Sequence, residues 1–216
     1  MKTDPVEFIL ANTGLIRPPH VPEIVLHLAT EVHELWQKTE AELEEIGLPP
    51  PFWAFAWAGG QALARYLLDH REVVAGRRVL DFAAGSGIVG IAAMLAGATQ
   101  AICADIDPFC GAALALNAEA NGVSLDYTDA DLLDAAPPAS AQVILAGDIC
   151  YEKPLAERVL AWLAAARAAG ATVLIGDPGR SYFPKTGLTK LAEYQVPTTR
   201  ELEDMEVKKT AVWRMP

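Results

Sequence analysis

From Arg77 onward the chain alternates short, unbroken apolar runs with segments of helical periodicity, and no other feature restricts the possible fold as much. The runs are Val79-Leu80, Ala101-Ile102-Cys103-Ala104, Val143-Ile144-Leu145-Ala146 and Thr172-Val173-Leu174-Ile175. A strand with one face in water alternates apolar and polar residues. A continuous run means that both faces are covered, as in a parallel sheet flanked by helices. Asp107-Pro108 supplies an N-cap and a first-turn proline for a helix ending near Asn121-Gly122. Pro154 opens another, with Leu155, Val159, Trp162 and Ala166 on one stripe and Gly170 as its stop. Strands alternating with helices in this way predict an α/β, doubly wound, Rossmann-like sheet.

Both ends depart from that plan. Leu191 to Thr198 and Val207 to Met215 read as longer strands joined by the polar stretch Thr199 to Glu206. That link is too short for a crossover helix, so the pair is expected to be an antiparallel hairpin. At the other end, Val32, Leu35, Trp36, Leu43 and Ile46 recur at helical spacing between Thr30 and Ile46, stopped by Gly47 and Pro49-Pro50-Pro51. An aromatic segment, Phe52 to Trp57, then leads through Gly59-Gly60 into a second helix carrying Leu63, Tyr66 and Leu67 on one face. We expect one domain over residues 1–216, with a helical extension at 1–57 and the core at 58–216.

Composition narrows the function. The chain is 52% hydrophobic, but the apolar residues are dispersed and no run reaches the roughly 18 residues of a spanning helix. No secretory signal is read at the start, and Cys103, Cys110 and Cys150 have no metal-ligand spacing, so buried reduced thiols, no metal and a cytoplasmic location are expected. The net charge is -11 with no basic run, which disfavours nucleic acid, whose binding is driven by Lys and Arg releasing counterions.

The chemistry concentrates in Val79-Leu80-Asp81-Phe82-Ala83-Ala84-Gly85-Ser86-Gly87-Ile88-Val89-Gly90, a strand, a tight loop and a helix start. Gly85 and Gly87 let the backbone turn sharply and approach a ligand. About 20 residues beyond Gly85, at the next strand end, Asp105 can accept from both hydroxyls of a ribose. Taken literally, Gly85-x-Gly87-x-x-Gly90 also matches the dinucleotide fingerprint, so an NAD(P)-dependent oxidoreductase is a second reading. Asp81 separates the two: a carboxylate ahead of the glycines would repel a pyrophosphate and suits a ligand carrying ammonium and sulfonium charges. Asp81-x-Ala83-x-Gly85-x-Gly87 resembles the D-x-G-x-G-x-G motif of class I methyltransferases, with Ala83 in place of the first glycine.

After the run Val143 to Ala146, Asp148-x-x-Tyr151 resembles the D-x-x-Y signature of the seven-strand protein-lysine methyltransferases. Together with Leu48 to Ala64 and Asp81 to Gly90, it makes nearly the whole chain resemble bacterial members of the group that methylates the electron transfer flavoprotein β subunit. The resemblance implies S-adenosylmethionine as methyl donor and a protein lysine as acceptor. Trp57, Gly59 and Gly60 would then lie beside the methionine end of the donor, with Asp81, Ala83, Gly85 and Gly87 forming its loop. Asp105 would hold its ribose, Ile106 would lie against adenine, and Asp131 would face the adenine amino group or serve only as a turn carboxylate. Asp148 and Tyr151 would be the catalytic pair, Asp148 orienting the amine or accepting from it and Tyr151 shaping the channel. Tyr182 would stand at the substrate mouth, and Lys208-Lys209 would mark an edge strand. His20, His27, His33 and His70 are assigned no catalysis. A ribosomal protein or a small amine remains an alternative substrate.

Overall fold

The computed structural model describes residues 4–29, 50–198 and 205–216. The expected helix from Thr30 to Ile46, its Gly47 and Pro49 stop, His33 and most of the Thr199 to Glu206 link lie outside the described residues.

In chain order the elements are α1 (Pro5–Asn12), β1 (Thr13–Ile16), β2 (Leu26–Ala29), α2 (Ala58–Asp69), β3 (Arg78–Phe82), α3 (Ile88–Leu95), β4 (Gln100–Ala104) and α4 (Cys110–Ala120). They continue with β5 (Asp126–Thr128), β6 (Val143–Gly147), α5 (Lys153–Ala168), β7 (Thr172–Asp177), β8 (Thr189–Pro197) and β9 (Val207–Arg214). The main sheet has seven strands in the order β5-β4-β3-β6-β7-β9-β8. Strands β3 to β7 are parallel, and the hairpin β8–β9 joins antiparallel through β9.

The unbroken apolar runs have the cause inferred for them. Within β6, Val143 and Leu145 join the core that contains Leu63, Leu67 and Ile91, while Ile144 and Ala146 join the one with Val159, Trp162 and Leu163. So α2 and α3 cover one face of the sheet and α5 the other. Strand β3 repeats the pattern with Val79 and Leu80, then breaks it: the next residue, Asp81, is 1% exposed.

Three details differ from expectation. The N-terminal extension holds the helix α1 and also a two-stranded antiparallel sheet, β1 with β2, which no periodicity in so short a stretch announces. Helix α4 starts at Cys110, because the Asp107 carboxylate accepts from the Phe109 amide at 2.8 Å and forms a separate turn first. Lys208 and Lys209 do not mark an edge strand: β9 lies between β7 and β8, and β8 is the outermost strand of that side. The Lys209 ammonium is instead 2.9 Å from Glu193 on β8, a cross-strand ion pair. Among the described residues, no helix is long and apolar enough to cross a membrane.

Candidate active site

The strand order reverses between β3 and β6, and in open α/β sheets ligands bind beyond the carboxyl ends of the strands at such a reversal. A cavity of about 400 Å³ opens there, a size ordinary for a small-molecule site. Of the residues singled out from sequence, Trp57, Gly60, Asp81, Ala83, Gly85, Asp105, Ile106, Asp131, Asp148 and Tyr151 all line it. Gly59, Gly87 and Tyr182 are not in its wall, nor are His20, His27 and His70.

The loop after β3 forms the floor. Ala83 takes φ 54°, a left-handed conformation that a residue with a Cβ adopts at a cost of about 1–2 kcal/mol. Gly87, at φ 78°, works behind the wall: a Cβ there would run into Leu114 of α4. The turn is tied to the neighbouring strand through Asp105, whose two oxygens accept from the amides of Gly85 (2.8 Å) and Asp107 (3.0 Å). Each carboxylate oxygen has a second lone pair, so Asp105 shapes the loop and can still accept from a ligand. Ile106 stands beside it, 67% exposed, an apolar surface free to lie against a flat ring. Asp131 accepts from the Leu133 amide at 3.0 Å, capping a short turn, and lines the cavity.

Asp81 accepts from the Gly90 amide at 2.8 Å, so one oxygen is committed to the start of α3. Burial pushes its pKa up to about 8, against the pull of the Gly90 amide and with added repulsion from Asp105. A carboxyl in this state is ready to ionise when a cation arrives.

At the other end of the cavity Asp148 sits just past β6 with φ 56° and is 8% exposed. Its Oδ2 accepts from the Gly60 amide at 3.1 Å, at the positive N-terminal end of α2. Its Oδ1 accepts from Arg180 Nε at 3.0 Å and Nη2 at 2.6 Å. Trp57 donates from Nε1 to the Phe52 carbonyl at 3.0 Å, and Phe52 lies 5.6 Å from the ring of Tyr151. Phe52, Trp57 and Tyr151 thus form an aromatic rim beside the carboxylate, with Tyr151 47% exposed at the mouth. Gly59 contributes differently from what was expected. A Cβ on it would overlap the Gly176 carbonyl oxygen of β7, so it sets how closely α2 meets the sheet rather than facing the cavity.

Arg180 in the cavity wall and Asn117 behind it are not signalled as site residues by the sequence. Arg180 directly follows Gly176-Asp177-Pro178-Gly179, which reads as a turn; the rule that ligands sit beyond strand ends, which points to Asp148 after β6, points equally to the residues after β7. Asn117, fully buried in α4, donates to the Ser86 carbonyl at 2.8 Å and accepts from the His27 amide at 2.7 Å. It binds the loop after β3 to strand β2, and nothing local in the sequence signals that.

A parallel sheet in this order, closed by an antiparallel hairpin and carrying a loop-floored cavity at its switch point, defines a class I methyltransferase fold. The family description "Ribosomal protein L11 methyltransferase (PrmA)" matches residues 61–161, from α2 into α5. The solved magnesium protoporphyrin IX methyltransferase of Synechocystis PCC 6803 with bound S-adenosylhomocysteine superposes with a TM-score of 0.52 at 15% identity, over 73% of this chain and 81% of that one, a likeness of fold. The electron transfer flavoprotein β-subunit lysine methyltransferase of Danio rerio is 38% identical over 96% of this chain and 81% of its own length. The human protein of that name is 37% identical, over 89% and 74%. The chain belongs to the electron transfer flavoprotein β-subunit lysine methyltransferase family.

Proposed function

We propose that this chain is an S-adenosylmethionine-dependent protein-lysine N-methyltransferase acting on the β subunit of electron transfer flavoprotein. The observation that carries the reading is the buried Asp148 carboxylate at the cavity end beside Trp57, in a chain similar over most of its length to relatives of that name.

The wall chemistry suits the methyl donor. Asp81, Asp105, Asp107, Asp131 and Asp148 face the cavity, and its guanidinium groups are already matched: Arg158 lies 3.1 Å from Asp134 and 3.8 Å from Asp131, and Arg180 pairs with Asp148. Such a wall favours a cationic nucleoside over a pyrophosphate, which speaks against an NAD(P)-dependent oxidoreductase and against nucleic acid. Asp105 would hold the ribose hydroxyls, Ile106 and Asp131 the adenine, and Asp81 with the loop from Ala83 to Gly87 the amino acid end near Trp57 and Gly60. Bound there, the donor supplies an electrophilic methyl group on a sulfonium. Asp148 receives an N–H of the target amine and aims its lone pair. Phe52, Trp57 and Tyr151 narrow the approach and exclude water, which lowers the amine's preference for its protonated form.

Asp81 gives this reading a pH signature. A cation beside it favours its ionised form, so binding below about pH 8 releases a proton, and affinity rises as pH climbs toward that value. Between pH 6 and 7.5 the affinity for S-adenosylhomocysteine is expected to rise on the order of tenfold. Binding enthalpies should also depend on the ionisation heat of the buffer. An Asp81→Asn protein should lose both effects, and a flat profile in the parent protein would remove Asp81 from contact with the ligand charge.

The direct test incubates the purified protein with S-adenosylmethionine and electron transfer flavoprotein, and reads lysine methylation by mass spectrometry. New methyl groups on β-subunit lysines are expected. Because the family description that matches residues 61–161 is that of ribosomal protein L11 methyltransferases, L11 is the second substrate to include. Methylation of L11 with an unmodified flavoprotein would replace the proposed substrate.

A further inference from the structure

Arg180 fills a position made for a cation. Its guanidinium reaches Asp148 Oδ1 through Nε and Nη2, and its central carbon lies 5.7 Å from the centroid of the Trp57 ring. A carboxylate beside an aromatic face is the recognition chemistry that an alkylammonium group requires. Both side chains are withdrawn from solvent, 19% exposed for Arg180 and 10% for Asp148, so water screens the pair less than a surface ion pair. Both also line the cavity in which the methyl acceptor has to sit.

The attachment of Arg180 differs from that of Asp148. Asp148 is anchored between the Gly60 amide and, through its own amide, the Gly176 carbonyl at 3.0 Å. The main chain of Arg180 is held in the turn by Asp177, whose Oδ1 accepts from the Gly179 and Arg180 amides at 2.7 and 2.8 Å, and by the Phe183 amide, which donates to the Arg180 carbonyl at 3.0 Å. Its side chain extends from an exposed turn, where even a Cβ added to Gly179 would touch nothing within 4 Å. Displacing the guanidinium from Asp148 and Trp57 would leave these main-chain bonds of the turn, and the Gly60 bond of the carboxylate, in place.

Resting on the reading of this site as a protein-lysine methyltransferase, we propose that Arg180 is a specificity-determining residue that keeps the ammonium position at Asp148 and Trp57 closed until the lysine of a docked protein displaces it. A free small amine brings only its own head group to that exchange, trading one cation for another with little gain. A lysine on a docked polypeptide brings binding energy from the rest of the interface, which can be spent on moving Arg180. The site thereby rejects small amines although its carboxylate and aromatic face suit them.

The test uses n-butylammonium as a lysine head-group probe, titrated by saturation-transfer NMR into protein loaded with S-adenosylhomocysteine. Arg180→Ala is expected to bind the probe roughly tenfold more tightly than the parent protein, the scale of a released charge-assisted pair. Arg180→Lys, which restores a cation, should return to parental affinity. With S-adenosylmethionine and n-butylamine, the Ala variant should show the same fall in KM, and KM for the flavoprotein should change less. Equal or weaker probe binding by Arg180→Ala overturns the proposal, as does loss of affinity in the Ala and Lys variants alike, which is the pattern of a merely structural role. Arg180→Gln gives the same readout should the Ala variant fail to fold. An unmodified flavoprotein with the parent enzyme would overturn the proposed substrate, while the probe titration would still decide the role of Arg180.

Discussion

Asp148→Asn is expected to lower kcat/KM for methyl transfer by about 100-fold or more while leaving S-adenosylhomocysteine affinity within a few-fold. Asparagine tolerates the left-handed backbone at φ 56° and keeps an oxygen for the Gly60 amide, so the fold should survive. What it loses is the charge. A carboxylate accepts from an amine or ammonium with a hydrogen bond worth about 1.5–3 kcal/mol, and an amide replaces part of that acceptor with donors that face the incoming N–H. Loss of aim adds to loss of attraction, since transfer to carbon requires a collinear approach. Single-turnover methylation followed by mass spectrometry, with calorimetry of the bound product nucleoside, separates the two quantities. Transfer at the parental rate would take Asp148 out of the reaction. Asp148→Ala should be as inactive and also less stable by about 1 kcal/mol, because alanine brings no local hydrogen bond to a left-handed position.

Gly59→Ala and Gly176→Ala are expected to be the most damaging changes to stability. Each would drive a Cβ into the other's main-chain carbonyl, and no side chain can rotate out of the way. Moving α2 outward to relieve the overlap would open the core around Leu63 and Leu67, both fully buried, at a cost of about 3 kcal/mol. For a chain of this length that corresponds to a fall in Tm of roughly 6–12 °C. The same shift would draw the Gly60 amide away from Asp148, so activity should fall further than stability alone accounts for. Gly122→Ala is the control: at φ 64° with nothing within 4 Å of its added Cβ, it should lose only the left-handed strain, about 1 kcal/mol. Equal melting temperatures for Gly59→Ala and Gly122→Ala would show that the close approach of α2 to β7 is not a constraint.

The parts of the site that were legible are those whose physics is local. Ala83, Gly85 and Asp105 could be placed because a strand, a tight loop and the next strand end follow one another at short, regular intervals. Asp148 and Tyr151 could be placed because the end of a buried apolar run marks the ligand side of a parallel sheet. Gly59 was expected in the same place as Gly60, yet adjacent residues of a helix point about 100° apart, and only one of them can face the cavity. The sheet β1–β2 went unnoticed because strands of four residues carry almost no periodic signal. Lys208 and Lys209 suggest an edge strand because lysines commonly deter pairing at sheet edges. Here β9 turns back and inserts beside β7, leaving the edge to β8.

Sequence alone determined the parallel sheet, the position of its ligand loop and the carboxylates at three strand ends, since backbone conformation, solvent exclusion and strand polarity act over neighbouring residues. Tertiary structure decided the partners: Arg180 on Asp148, 32 residues apart; Asp148 on Gly60, 88 apart; Asn117 on His27, 90 apart. Those contacts form only after the sheet has brought distant strand ends together, and hydrogen-bond geometry at 3 Å depends on the packing of every element between them.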